Sequence, residues 1–164
     1  MNQPQFTVTI EKLVQGGRGL ARLDSEVVFV RGAIPSETVT VIGAAQHKGY
    51  QEATVRTVLA ASPDRVVAPC PVYDTCGGCQ LQHLRYEAQL TEKREILRDT
   101  LARVGKMAID LSPVIASPHP YGYRHTIRFA VFRRGAGCGL GFYESGSRRP
   151  VLPALRPNPS CSSG

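Results

Sequence analysis

Three cysteines fall within ten residues of this chain, Cys70, Cys76 and Cys79, in the spacing C-x5-C-x2-C with Gly77 and Gly78 between the last two. Thiolates this close can converge on one metal centre. The glycines let the backbone curl so that both sulfurs point inward, and they leave N–H groups to donate to those sulfurs. The chain holds five cysteines, an odd number, and its start, MNQPQFTVTIEKL, has no basic stretch followed by an apolar one. Both facts argue against an exported disulfide scaffold and for metal binding or a reactive thiol. A structural zinc takes four ligands, usually as two close pairs, whereas a four-iron four-sulfur cluster often draws three thiolates from one loop and one from afar. A trio with no second pair favours the cluster. His83 is a candidate fourth zinc ligand; a hydrogen-bonding role within the loop is its alternative.

A second chemistry is written in the charge. The 164 residues carry 20 Lys and Arg against 13 acids, a net +7, and 16 of the 20 bases are Arg. The guanidinium fork suits phosphate and stacks on bases, so the bias points to a nucleic-acid partner. An Arg preference set by a GC-rich genome is the competing explanation. Candidate RNA contacts are Arg18, Arg22 and Arg31 around the glycine-rich turn Gly16–Gly19, then Lys48 and Tyr50 in a later loop. Arg124 and Arg128, with Arg133 and Arg134, form a further basic group. Base stacking falls to Phe29 or Tyr50; otherwise Phe29 is core and the arginines a solvated face. No apolar run approaches the roughly 20 residues of a membrane span, which excludes a helical membrane protein and leaves the cytoplasm as the expected compartment.

The elements that must position these residues can be read from periodicity. Over 5–61, Phe6, Val8 and Ile10 alternate with threonines. Short runs at Val27–Val30, Thr38–Ile42 and Ala53–Leu59 follow, with no helix between, which predicts a small barrel. Residues 62–83 have no usable period and read as a loop ordered by the metal. Leu90, Leu97, Leu101 and Val104 make one apolar stripe, predicting a helix over 84–104 that docks on a sheet. Asp99 and Arg103 pair on its outer face, and Gly105 ends it at the C′ position. Strands return at Ile127–Val131, with Arg128 on the face opposite Ile127 and Phe129, and at Cys138–Tyr143 after a Gly135–Gly137 turn. The end, PVLPALRPNPSCSSG, holds four Pro and three Ser in 15 residues and reads as a disordered tail.

The segment C-P-V-Y-D-T-C-G-G-C-Q-L-Q-H-L, Cys70 to Leu84, resembles the cluster loop of the S-adenosylmethionine-dependent RNA uracil-5-methyltransferases. G-G-R-G-L-A-R-L-D (Gly16 to Asp24), V-F-V-R-G-A-I-P (Val28 to Pro35) and the E-x-V of Glu37 and Val39 are similar to the TRAM domain, an OB-like RNA-binding barrel. S-P-H-P-Y-G-Y-R-H-T-I-R-F (Ser117 to Phe129) and G-L-G-F-Y (Gly139 to Tyr143) resemble strands of the same family's central domain. The sequence departs from the family at Ser25 and Ser36, where glycine is usual, and at His125, where asparagine is common. The family's fourth cluster cysteine stands in a stretch replaced here, so Cys161 is favoured over Cys138 as the fourth ligand.

The resemblance implies a mainly β fold with one helix, α+β in class: a TRAM-like barrel over 1–61, a cluster loop over 62–83, a helix and partial antiparallel sheet over 84–150, and a tail over 151–164. It implies a 4Fe-4S cluster on Cys70, Cys76, Cys79 and Cys161, ribosomal or transfer RNA as partner, and a monomer. S-adenosylmethionine would bind only in the intact enzyme. The family's methyltransferase domain, with its nucleophilic cysteine and general base, finds no counterpart, so the chain alone is expected to be inactive. A zinc-stabilised RNA-binding module and a small iron–sulfur electron carrier are the alternatives.

Overall fold

The computed structural model describes residues 4–134 and 137–151, in two units: residues 4–67 with 83–118, and residues 68–82 with 119–151. The predicted tail lies almost wholly outside the described residues, and so does most of the expected Gly135–Gly137 turn. The first unit opens with six strands, β1 (Gln5–Thr9), β2 (Lys12–Val14), β3 (Arg18–Leu23), β4 (Glu26–Arg31), β5 (Thr38–His47) and β6 (Tyr50–Ala60). They form one sheet in the order β1-β5-β6-β4-β3-β2, with only the β4–β6 pair parallel.

The two edge strands of that order are neighbours in sequence. Ile10 and Glu11 alone separate β1 from β2. The Ile10 N–H donates to the Glu37 carbonyl and the Glu11 N–H to the Leu20 carbonyl, each at 2.8 Å. One bent strand therefore pairs with β5 on one side and β3 on the other, which curls the sheet into the expected barrel. Ile10 fills the corner, and a Cβ on Gly19 would lie 2.9 Å from its Cγ2, so β3 can pass the corner only as glycine. Alternation does the rest. Val28 and Val30 point inward with Val8, Ala21, Ala33, Val39, Val41 and Ala53 to make the core, while Val27, Phe29 and Arg31 share the outer face.

The turn entering β5 carries the barrel's one fully buried carboxylate. Glu37 accepts from the Ile34 N–H at 3.0 Å, the Ser62 N–H at 3.4 Å and the Arg65 guanidinium through both oxygens, one contact being 2.7 Å. Arg65 also donates to the Gly32 carbonyl at 2.7 Å. Burial alone would raise the Glu37 pKa; the hydrogen bonds and charge of Arg65, with the two backbone N–H groups, outweigh it and hold the carboxyl below its ordinary 4.5. Within Ile34–Glu37, Pro35 precedes Ser36 at φ 69°, the backbone of a type II turn, which is why glycine is the natural occupant of position 36.

Past β6 the chain is clamped. Residue Arg65 bridges antiparallel to Leu84, the Val66 N–H donates to the His83 carbonyl at 3.0 Å, and the Arg85 N–H to the Asp64 carbonyl at 2.9 Å. The helix α1 (Tyr86–Arg103) starts from this clamp. It meets the barrel at β2, where Lys12 Nζ lies 2.6 Å from Asp99. Burial raises the Glu92 carboxyl despite a hydrogen bond from the Leu13 N–H.

Several local expectations change. The turn before β3 is Gln15–Gly17, so Arg18 and Gly19 are strand residues. The apolar stripe of α1 is not its buried face: no helix residue is fully buried, and Leu97 and Val104 are 50% and 79% exposed, because polar pairs make much of the contact. Gly105 stands at C′, directly after the C-cap Val104, but the left-handed conformation expected there falls on Lys106 at φ 54°. In the second unit the strand expected from Ile127 begins at Ala130, and Ile127 and Arg128 are both exposed. That unit holds β7 (Ala130–Arg134), β8 (Gly137–Tyr143) and β9 (Pro150–Val151), antiparallel in the order β7-β8-β9. The expected Asp99–Arg103 pair forms at 3.7 Å, but on the side of α1 that meets β2, where Asp99 also takes Lys12, rather than on the outer face.

Arg65→Ala strands the Glu37 carboxylate without a cation and should lower the unfolding free energy by about 3 kcal/mol in urea titrations. Because the Glu37 pKa is depressed, its contribution is complete above the ordinary carboxyl range and lost as pH falls below about 4.5 and through the folded value. The acid-side loss should therefore be smaller in Arg65→Ala than in the parent. Ser36→Gly relieves a left-handed residue and should stabilise by up to about 1 kcal/mol.

Candidate functional site

The outer face of the barrel carries a run of stacked side chains. Arg18 on β3 places its guanidinium carbon 4.9 Å from the centre of the Phe29 ring on β4. Phe29 meets Tyr50 edge-on at 5.4 Å, and Tyr50 lies flat against His47 at 4.5 Å and 16°. The register explains the alignment, since Val27 pairs with Tyr50 across β4 and β6, and His47 with Tyr50 across β5 and β6. The β5–β6 hairpin runs on past the core, so His47, Lys48 and Gly49 form an exposed tip. Alternating cationic and aromatic groups on an open sheet face suit single-stranded nucleic acid, whose bases stack on rings while phosphates meet cations.

Beside this run the face is walled by α1. A cleft of about 720 Å³ opens between the helix and strands β2 to β4, and Arg18, Arg22, Phe29 and Tyr50 line it from the barrel side. Its cations are held in ion pairs: Arg18 with Glu52 at 2.7 Å, Arg22 with Glu11 at 3.4 Å, and Lys12 and Arg103 with Asp99. The hydrogen bond from Lys12 is the main reason the Asp99 carboxyl sits below its ordinary range. These pairs are all solvent-accessible, so each is weak and exchangeable.

Of the sequence candidates, the structure brings Arg18, Arg22 and Tyr50 together, with Lys48 at the adjoining hairpin tip. Arg31 lies on the same outer face at the end of β4, opposite Thr54 and outside the cleft. Arg124, stacked 5.7 Å from the Tyr123 ring, and Arg128 belong to the second unit. Sequence reasoning missed His47 and the helix residues Ile96, Thr100 and Arg103. His47 was signalled by the His47-Lys48-Gly49-Tyr50 cluster at a turn. The helix residues carried no signal, because periodicity does not say which flank of a helix borders a cleft.

The cysteine loop is built in the second unit. Its middle is annealed to the end of β8: Cys76 bridges antiparallel to Glu144, the Gly77 N–H donates to the Tyr143 carbonyl at 2.9 Å, and the Ser145 N–H donates to the Thr75 carbonyl at 3.1 Å. A Cβ on Gly77 would sit 3.0 Å from the Tyr143 carbonyl oxygen and 3.2 Å from Ser145 Cα. Further bonds fold the loop on itself, from Tyr73 Oη to the Gln80 carbonyl at 2.8 Å and from the Gln80 side chain to the Gly77 carbonyl at 2.9 Å.

Cys76 is buried, Cys70 half-buried and Cys79 exposed, all three as free thiols. The Gly78 N–H donates to Cys76 Sγ at 3.4 Å, the bond by which a backbone amide stabilises a thiolate. The donor set therefore suits a soft metal. Among the described residues, however, no three Cys, His, Asp or Glu side chains are gathered to hold one ion. Cys138 stands in β8 opposite Arg133, and Cys161 lies outside the described residues.

Residues 5–54 match the TRAM domain family. The chain is 42% identical over 145 residues to an uncharacterized RNA methyltransferase of Halalkalibacterium halodurans, covering 88% of this chain and 32% of that protein. It is 43% identical over 145 residues to an uncharacterized RNA methyltransferase of Aquifex aeolicus, covering 88% and 33%. A tRNA (uracil-54, C5)-methyltransferase of Pyrococcus abyssi, solved with S-adenosyl-L-homocysteine, superposes with a TM-score of 0.46 at 25% identity, over 82% of this chain and 28% of that one. The chain thus spans about a third of the length of the curated relatives it matches.

Gly77→Ala forces a Cβ against the Tyr143 carbonyl and should release the loop from β8. Hydrogen exchange at the Gly77 and Ser145 amides should accelerate at least tenfold, with exchange in the barrel core unchanged.

Proposed function

We propose that this chain, which belongs to the RNA methyltransferase family and carries its TRAM domain at residues 5–54, is the part of such an enzyme that holds the RNA. The observation that carries the reading is the Arg18–Phe29–Tyr50–His47 stack on the barrel's outer face, flanked by Lys48 and Arg22. A single strand would stack its bases along the rings and set its phosphates against the cations. Arg31 on the barrel and, separately, Arg124 and Arg128 in the second unit are assigned as further RNA contacts. The reaction we assign to the whole enzyme is methylation of uracil C5 in ribosomal or transfer RNA in the cytoplasm. The methyl group would come from S-adenosylmethionine, and no residue of this chain is given a catalytic role.

The cysteine loop is assigned a 4Fe-4S cluster, with Cys70, Cys76 and Cys79 as three thiolate ligands and Cys161 as the fourth. The C-x5-C-x2-C spacing and the Gly78 N–H to Cys76 sulfur support it. When bound, the cluster would act as a covalent staple for a loop with little apolar core of its own. Methyl transfer to uracil needs no electron, so a redox role is not invoked.

The RNA reading is tested by fluorescence anisotropy with a single-stranded RNA of about ten nucleotides. Affinity should fall steeply with salt, and Tyr50→Ala should weaken it by about 1–3 kcal/mol, the loss of one stacked base. Affinity equal to the parent's in both Tyr50→Ala and Arg18→Ala would overturn it. The cluster is tested by iron, sulfide and zinc analysis of protein purified without oxygen. About four irons and four sulfides are expected, lost in Cys76→Ala. One zinc and no colour would replace the cluster with a zinc staple.

A further inference from the structure

We infer that the cleft between α1 and the outer face of the barrel seats one unstacked nucleotide of the bound strand, with the helix as its second wall. This rests on the RNA reading above and adds to it a place and a set of residues. The cleft's volume of about 720 Å³ lies within the range of roughly 300–1,000 Å³ typical of small-molecule sites. Its floor is apolar. Leu20 lies on the outer face of β3, yet is only 6% exposed, and the Phe29 ring stands beside it under the Arg18 guanidinium. The flat, apolar face of a base fits against such a floor, and a ring already carrying one guanidinium can take a second planar partner at its edge.

The rim is polar and net cationic. Lys12, Arg18, Arg22 and Arg103 line the cleft, set against Glu11 and Asp99 in its lining and Glu52, which pairs with Arg18. Each of these cations is paired, but through exposed side chains. In the Arg22–Glu11 pair the two side chains are 59% and 45% exposed, and Arg103 is 69% exposed. Pairs of this kind contribute at most about 1 kcal/mol, so a phosphate can replace a carboxylate partner at little cost. On the helix side, Thr100 lines the cleft; its hydroxyl donates to the Ile96 carbonyl at 2.7 Å, which leaves its oxygen able to accept from a base edge. The barrel face alone offers stacking without enclosure. The helix turns part of that face into a concave seat, where one nucleotide leaves the stacked run and is contacted from two sides.

The test uses the full chain and a single-stranded RNA of about ten nucleotides carrying 4-thiouridine. Photocrosslinks mapped by mass spectrometry should fall on both walls, on the peptide bearing Phe29 and on the α1 peptide bearing Thr100 and Arg103. In anisotropy titrations Arg103→Ala should weaken binding severalfold and reduce the salt slope by about one, as for a lost phosphate contact. Thr100→Trp, at an exposed position, should block the cleft and abolish the α1 crosslink without lowering the melting temperature. Crosslinks confined to the barrel, with both variants binding like the parent while Tyr50→Ala binds poorly, would overturn the cleft and leave the RNA reading standing. No RNA binding by the parent chain would remove both.

Discussion

The carboxylate of Glu37 is fully buried, and two stretches of chain meet on it. Its own turn donates one N–H from Ile34, and the turn after β6 donates another from Ser62 and closes the shell with the Arg65 guanidinium. A buried charge tolerates no substitute arrangement, because losing any partner leaves it partly unsolvated. The consequence reaches beyond the barrel. Arg65 is also the residue that bridges to Leu84, so the group that neutralises Glu37 fixes the point where the chain leaves for the cysteine loop and where it returns to begin α1. The Arg85 side chain, bonded to Asp64 at 2.5 Å, fastens the same junction from outside. One carboxylate thus fixes the clamp from which α1 starts.

The barrel itself distributes its residues by a simple rule, small and β-branched inside and aromatic or charged outside. That rule is why its strands were legible in the sequence. Val28 and Val30 against Val27, Phe29 and Arg31 is a period of two, and the periodicity places Phe29 outward once the valines are taken as core. The closure was less legible. Nothing in QFTVTIEKLV marks Ile10 and Glu11 as the bend at which one strand changes partners; only Gly19, lying where Ile10 must pack, records it. The helix shows the opposite failure. Its apolar stripe was plain, but contact with β2 is made in large part by Lys12, Asp99 and Glu92, and a stripe predicts burial only when a sheet actually covers it.

The cysteine loop was legible as a candidate chemistry and not as structure. Spacing alone singles out the three thiols as candidate ligands, since it needs only local chain geometry. The docking of the loop on β8 depends on residues more than sixty positions away, and the reason for Gly77 appears only when the Tyr143 carbonyl is in place. The same glycine pair therefore serves two purposes. Gly78 supplies an N–H to sulfur, and Gly77 lets the loop lie flat on a strand end. A local argument finds the first of these and has no access to the second.

The functional face is electrostatically prepared rather than bare. Unpaired arginines crowded on one sheet would repel one another, and in the free chain they are quenched by Glu11, Glu52 and Asp99 at the surface. Because those carboxylates are exposed, solvent and salt keep each pair weak, and a polyanion carrying many phosphates can displace them together. The buried Glu37–Arg65 pair is of the opposite kind, shielded from solvent on the carboxylate side and therefore insensitive to such competition. The chain thus has two classes of ion pair, a buried one that holds its shape and exposed ones that leave the outer face open to exchange, and burial is what separates the two.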